Sequence, residues 1–233
     1  MNARANIFAR LKAAPTTPVV EPDTAAYFEK FATKADRITL LRHWASMMRS
    51  VKTEIIWTTQ AHWTDALKTQ ISQRQIQNFL VPNSSLGDMA SAALSTQATQ
   101  ATDVWRFDKP IEEWKEALFN KIDASITDCL CGIAKTGTLV LWPNAAAPRS
   151  MSLVPPTHFI LFDTSTLYPD FFSAMSGLNW EKGMPTNAVL VSGPSKTADI
   201  QLTLAYGAHG PKDVIVFACL PDDISPADLE DAQ

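Results

Sequence analysis

The chain has 233 residues, with 20 Lys and Arg against 24 Asp and Glu and a formal net charge of −4 at pH 7. That length accommodates one large α/β domain, or two small ones, with a sizeable buried core. The mildly acidic balance has no block of like charges, which excludes the basic stripe that nucleic-acid phosphates require, and no apolar run is long enough to span a bilayer.

In chain order, Arg4, Arg10 and Lys12 precede the first acid, Glu21. A presequence would share that pattern, but the apolar stretch of a secretory signal is missing. Ile7, Phe8 and Leu11 fall at helical spacing, which predicts a structural arm. Pro15, Pro18 and Pro22 then mark a linker. Residues 1–23 are therefore expected to form an N-terminal helical arm and linker, 24–225 the α/β domain and 226–233 a tail.

Phe28, Phe31, Ala35, Ile38, Leu41 and Ala45 recur every three or four residues, which predicts one long amphipathic helix. Beyond it the pattern alternates: strand 54–58, helix 61–75, strand 77–81, helix 86–95 and strand 103–107. A helix is predicted over 108–122, with Pro110 in its first turn, Glu112 and Glu113 at its positive end, and Trp114, Leu118 and Ile122 on its buried stripe. From Ala124 the apolar runs "ITDCLCGIA", "TLVLW" and "HFILF" follow one another without helices between them. The end resumes with a strand over 188–191, a helix over 197–206 and the strand "DVIVFA". This order predicts an α/β sheet with helices on both faces and an antiparallel insertion. The glycine fingerprint of a dinucleotide fold is missing.

Cys129, Cys131 and Cys219 are odd in number, contain no CxxC pair and lie in apolar runs. They are expected to be buried free thiols of a soluble, cytoplasmic protein. His43, His62, His158 and His209 show no zinc-ligand spacing, so no metal is expected. His209, between two glycine turns, is read either as a neutral core histidine or as an acid–base group facing a pocket.

Two loops carry candidate ligand chemistry. In "SGPSKTADIQLTLAYGAHGP", the strand before Ser192 is expected to deliver Ser192 and Gly193 to the carboxyl edge of the sheet. Ser195, Lys196 and Thr197 then sit at the amino end of the predicted helix, where free amides attract anions. Ser195 or Thr197 could instead cap that helix, and Asp199 could complement its dipole. In "IAKTGTLVL", Lys135, Thr136, Gly137 and Thr138 form a turn whose amides and hydroxyls suit an oxygen-rich ligand, although such turns also simply connect hairpins. Arg149 could clamp a carboxylate. Serine hydrolase chemistry is unsupported, because Gly193–Thr197 lacks the final glycine of a nucleophile elbow.

The ordered set "IAKTGTLVL", "PRSMSLVPPTHFIL" and "SGPSKTADIQLTLAYGAHGPKDVIVF" resembles the LUD-domain family, in its lactate-utilization protein C branch. The resemblance implies a three-layer fold of the NagB/RpiA/CoA-transferase type. It also implies a role in oxidising L-lactate to pyruvate with the iron–sulfur lactate-utilization proteins A and B, which would hold the clusters while this chain alone binds no cofactor. Many members have a glutamate where this chain has Lys135, an arginine at Lys196 and a glutamate at Gln201, so a carboxylate mechanism at position 135 does not transfer. The more positive local field suits an anionic ligand. Two function classes follow: a non-redox subunit binding a small anion or its partners through 135–138 and 192–197, or a stand-alone enzyme of the same fold acting on an acyl-CoA, sugar phosphate or folate-like substrate.

Overall fold

In the computed structural model the described residues are 3–15, 20–31, 34–96, 101–198, 204–207 and 209–229. The chain divides into two compact units, 1–32 and 33–233. The first unit holds helices α1 (Ala3–Ala13) and α2 (Thr24–Glu29), and Asp23 caps α2 by accepting the Ala26 N–H at 2.9 Å. Ile7, Phe8 and Leu11 on α1 are exposed, as are Phe28 and Phe31.

The second unit begins with α3 (Arg37–Ser50). The single helix expected from Phe28 to Ala45 is therefore two. Asp36 is the reason: its carboxylate accepts the Thr39 N–H at 3.0 Å and the Thr39 hydroxyl at 2.7 Å, a cap that starts a new helix. Leu41, Trp44, Ala45 and Met48 form the buried face of α3.

There follow β1 (Glu54–Thr58), α4 (Trp63–Gln73), β2 (Asn78–Val81), α5 (Ser85–Ser95), β3 (Asp103–Arg106), α6 (Lys115–Asn120) and β4 (Ala124–Asp128). Next come β5 (Cys131–Ile133), β6 (Thr138–Leu141), α7 (Ser150–Leu153), β7 (Thr157–Asp163), β8 (Leu167–Tyr168) and α8 (Phe171–Gly177). The last strands are β9 (Val189–Val191), β10 (Lys196–Ala198), β11 (Leu204–Tyr206) and β12 (Asp213–Cys219). The helix expected over 108–122 is interrupted: Ile111–Glu113 form a 3-10 turn after Pro110, and Trp114, with φ −142°, separates it from α6.

Six strands make a parallel sheet in the order β1-β12-β7-β4-β2-β3. Alternation along its central strands sorts the core into two layers. Phe159 of β7 and Ile215 and Phe217 of β12 pack against Trp63, Leu67 and Ile71 of α4 and Leu86 and Ala90 of α5. Ile160, Phe162, Val214 and Val216 face the other way, onto Trp44, Ala45 and Met48 of α3 and Leu139 and Leu141 of β6. The expected α/β architecture with helices on both faces is thus present.

The antiparallel insertion is a second sheet in the order β8-β5-β6-β9, in which β6 pairs antiparallel with both β5 and β9. β9 therefore does not end at the carboxyl edge of the parallel sheet, as its sequence context suggested. Its partner in the hairpin of β5 and β6 is far away in the chain, and only the long-range register reveals it. At the other end Leu229 is buried with Leu41, Leu220 and Ile224, and the Arg42 guanidinium donates to the Asp228 carbonyl at 2.7 and 2.9 Å.

Candidate functional site

The register that sets Leu139 beside Val191 brings the two candidate loops together. Thr136 Oγ1 lies 2.7 Å from Thr138 Oγ1, which lies 2.7 Å from Ser192 Oγ. Three hydroxyl protons serve these two links, so one O–H is left to donate at an end of the row. The competing acceptor, the Thr136 carbonyl, is a long 3.4 Å from Thr138 Oγ1. Thr138 is buried, whereas Thr136 and Ser192 are exposed, so the row runs from the interior to solvent at both ends.

Glycines let both loops sit against the C-terminal half of α3. Gly137 has φ +55°, and a side chain there would meet the Met47 Cβ at 2.5 Å. Gly193 has φ +133° and would place a Cβ 2.6 Å from Val51 Cγ2. Only glycine tolerates both demands.

Among the described residues of 196–207 there is no helix. Where one was expected over 197–206, β10 and β11 form an antiparallel pair, with Lys196 opposite Tyr206 and Ala198 opposite Leu204. Anion binding at a helix amino end and a helix-capping role for Ser195 or Thr197 both fall with it. Ser195 instead fastens the two Gly-Pro turns together. Its N–H donates to the Pro211 carbonyl and its own carbonyl accepts the Gly207 N–H, both at 2.9 Å, while its Oγ accepts the His209 N–H at 3.3 Å. His209 is exposed and so is not a core histidine; Lys196 is exposed at the start of β10. Asp199 and Gln201 lie outside the described residues, as do any side-chain roles of Thr197.

Lys135 lines a largely apolar cleft of about 340 Å³ whose walls include Leu40, Ala134 and Pro169. Its backbone N–H donates to the Pro169 carbonyl at 3.0 Å, which fixes the loop at the cleft floor. His43 lines the same cleft, one helical turn from Thr39. Sequence reading passed over His43, because only the docking of the hairpin on α3 sets it near Lys135.

Arg149 is not brought to the hydroxyl row. It is exposed, immediately before α7, at the end of a segment that crosses the carboxyl ends of β2 and β4. The Asn83 N–H donates to the Ala146 carbonyl at 2.9 Å and holds that segment in place. Beneath it is a small crevice of about 20 Å³ lined by Thr127, Asp128, Leu141, Trp142, Pro143 and Ser152. Behind Thr127, its hydroxyl 2.9 Å from Nε2, stands His158, which is completely buried. Burial pulls the His158 pKa down to about 3, so the ring is neutral at physiological pH. The sequence showed only that His158 has no zinc-ligand spacing to the other histidines.

Cys131 and Cys219 are buried free thiols, and burial pushes them up to about 11 and about 12. Half-buried Cys129 is raised as well, by desolvation first and then by Cys131, Asp128 and Asp163. All three are held in the thiol form near neutral pH, which makes them poor nucleophiles. Among the described residues no three His, Cys, Asp or Glu side chains converge on a metal-sized site, and no helix is long and apolar enough to cross a membrane.

These features define an α/β protein whose parallel sheet carries a second, hairpin-built sheet that joins a TGT turn to an SGPS turn. The chain belongs to the LUD-domain family, whose domain model matches residues 41–218. It is 47% identical over 234 residues to an uncharacterized protein of Neisseria meningitidis serogroup B, covering 99% of each chain. It is also 28% identical over 193 residues to Lactate utilization protein C of Bacillus velezensis, covering 77% of this chain and 76% of that one. The corresponding Bacillus subtilis protein is 27% identical over 183 residues, at 76% and 75% coverage. In fold, the chain is similar to the crystal structure of a DUF162 family protein from Deinococcus radiodurans, with a TM-score of 0.57 and 17% identity over 80% of this chain and 99% of that one.

Proposed function

We propose that this chain serves lactate utilization as the non-redox subunit of a cytoplasmic iron–sulfur assembly that oxidises L-lactate to pyruvate. Its similarity to proteins named Lactate utilization protein C over about three quarters of both chains carries this reading. Oxidation of lactate to pyruvate releases two electrons and two protons. The electrons pass to clusters held by the iron–sulfur proteins A and B; this chain has three cysteines, fewer than the four thiolates that usually hold a cluster, which supports that division.

In this reading the chain binds a small carboxylate at the hydroxyl row. The spare O–H of the Thr136–Thr138–Ser192 row donates to the anion, and the positive charges of Lys135 and Lys196, close in sequence to Thr136 and Ser192, favour an anion over a neutral ligand. Charge-assisted donation of this kind is stronger than a neutral hydrogen bond.

Complementation tests it. In native cells lacking the gene, Thr136→Ala and Lys196→Ala chains are expected to restore growth on L-lactate only poorly, while growth on a carbon source other than lactate is normal and the purified variants keep the wild-type circular dichroism. Full restoration on lactate by both variants would make the chain a scaffold without a ligand role for this loop pair.

A further inference from the structure

β2 and β4 are neighbours in the parallel sheet, yet the chain leaves them in opposite directions, β2 toward β3 at the edge and β4 toward β7. Such a reversal opens a crevice at the carboxyl ends of the strands, where ligands of open α/β sheets bind. We propose that the crevice beneath segment 143–149 is a binding site, separate from the hydroxyl row, for an alcohol hydroxyl of a small molecule. Thr127 donates to the hydroxyl oxygen, Asp128 accepts the hydroxyl proton, and His158 positions Thr127.

The buried histidine sets the direction of the hydrogen bonds. His158 Nδ1 is buried and has no hydrogen-bond partner among the described residues, while Nε2 is 2.9 Å from Thr127 Oγ1. A neutral imidazole has one N–H and one lone pair. With the proton on Nδ1, an N–H would be stranded in the interior; with it on Nε2, only a lone pair is left there, which is the smaller loss. The Nε2–H tautomer therefore donates to Thr127, and the Thr127 O–H is released to point at the crevice that this residue lines.

The other groups narrow the ligand. Ser152 also lines the crevice, but its proton is engaged with the Arg149 carbonyl at 3.0 Å, so Thr127 is the hydroxyl left to donate. Asp128, the last residue of β4, also lines the crevice, and its negative charge disfavours an anion there. A bare cation would satisfy Asp128 but would face the Thr127 proton. An alcohol hydroxyl accepts from one and donates to the other. The crevice has room for about one water-sized group, and Leu141, Trp142 and Pro143 give the attached carbon an apolar wall.

Isotope-labelled full-length chain, titrated with L-lactate, glycerol or propionate and followed by backbone amide shifts, provides the test. Propionate is lactate without its hydroxyl. Glycerol or L-lactate is expected to move the amides of Asp128, Trp142 and Ser152, and propionate is expected to leave them in place. Thr127→Val is expected to weaken that response at least about fivefold and Thr127→Ser to keep it within about twofold, the scale of one hydrogen bond. The ring nitrogens of His158 are expected to report the Nε2–H tautomer, a signature that a merely packed histidine need not show; this and the serine variant decide the matter if the valine variant does not fold. Glycerol binding without lactate binding would support the crevice and remove lactate from it, whatever the outcome at the hydroxyl row. A propionate response as large as a measurable lactate response, no response to either hydroxyl probe, or an Nδ1–H tautomer would overturn the assignment.

Discussion

Trp44→Ala is expected to lower the stability of the chain by about 3–5 kcal/mol, the range for truncating a fully buried large aromatic side chain. Trp44 is 0% exposed and lies at the junction of three layers. Its ring centroid is 5.0 Å from that of Phe162 on the parallel sheet and 6.3 Å from that of Trp57 on β1, and it shares a core cluster with Leu139 of the second sheet. Removal leaves a cavity that α3 cannot close without abandoning Gly137 and Gly193, which rest on its C-terminal half. The indole N–H has no acceptor among the described residues, so losing it gives back part of the cost. Denaturant unfolding followed by circular dichroism measures the difference. Val104→Ala, at a side chain 37% exposed on the edge strand, serves as a control expected to cost well under the tryptophan value. A loss below about 1 kcal/mol for Trp44→Ala would mean that α3 is not anchored as described.

Acidification is expected to destabilise the protein through His158 before most carboxylates titrate. The ordinary histidine pKa of 6.5 is lowered to about 3 by burial in the native state. Above pH 6.5 the ring is neutral in both states and has no effect on stability. Below it the unfolded chain binds a proton that the native chain refuses, so stability falls by about 1.4 kcal/mol per pH unit until the native pKa is reached. Between pH 6.5 and 5 this amounts to roughly 1.6 kcal/mol, because the slope is only half developed at pH 6.5. Asp36 and Asp228 are held below the usual carboxylate range, each chiefly by a backbone hydrogen bond, from Thr39 and Ser225 respectively. Their contributions are present above the ordinary carboxylate pKa and are lost at lower pH than this window. Unfolding curves at pH 6.5 and 5 for the wild-type chain and His158→Asn isolate the effect, because the variant keeps an N–H donor but cannot take the proton. The variant is expected to lose the extra pH dependence; identical dependence in the two would show that His158 is not a buried neutral ring.

Much of this architecture was legible where local pattern and long-range packing agree. The alternation over 54–58 and the helical spacing over 61–75 predict β1 and α4 nearly to the residue, because each buries one simple face. The TGT and SGPS turns were legible as chemistry, since positive-φ glycines beside hydroxyls are local features. Their meeting was not, because it depends on β9 joining β6 across about fifty intervening residues. Two expectations failed for local reasons. The apolar repeat across Phe31 and Ala35 outweighed Asp36, although a cap can break a continuous stripe. The run "ADIQLTLAY" also alternates with period two, through Ile200, Leu202, Leu204 and Tyr206, and that period agrees with the strand pairing of 204–206. His158 and His43 were invisible as site residues because each gains its meaning from another element: His158 from its hydrogen bond with Thr127, and His43 from the cleft it lines with Lys135.

The most direct measurement is affinity purification of the tagged chain from lactate-grown native cells, with assay of the eluate for iron and for lactate-dependent dye reduction. Co-purification of iron–sulfur proteins, with an activity that disappears when this chain is removed, is the result the account predicts. Recovery of the chain alone, iron-free and inactive, would contradict its place in a lactate-oxidising assembly.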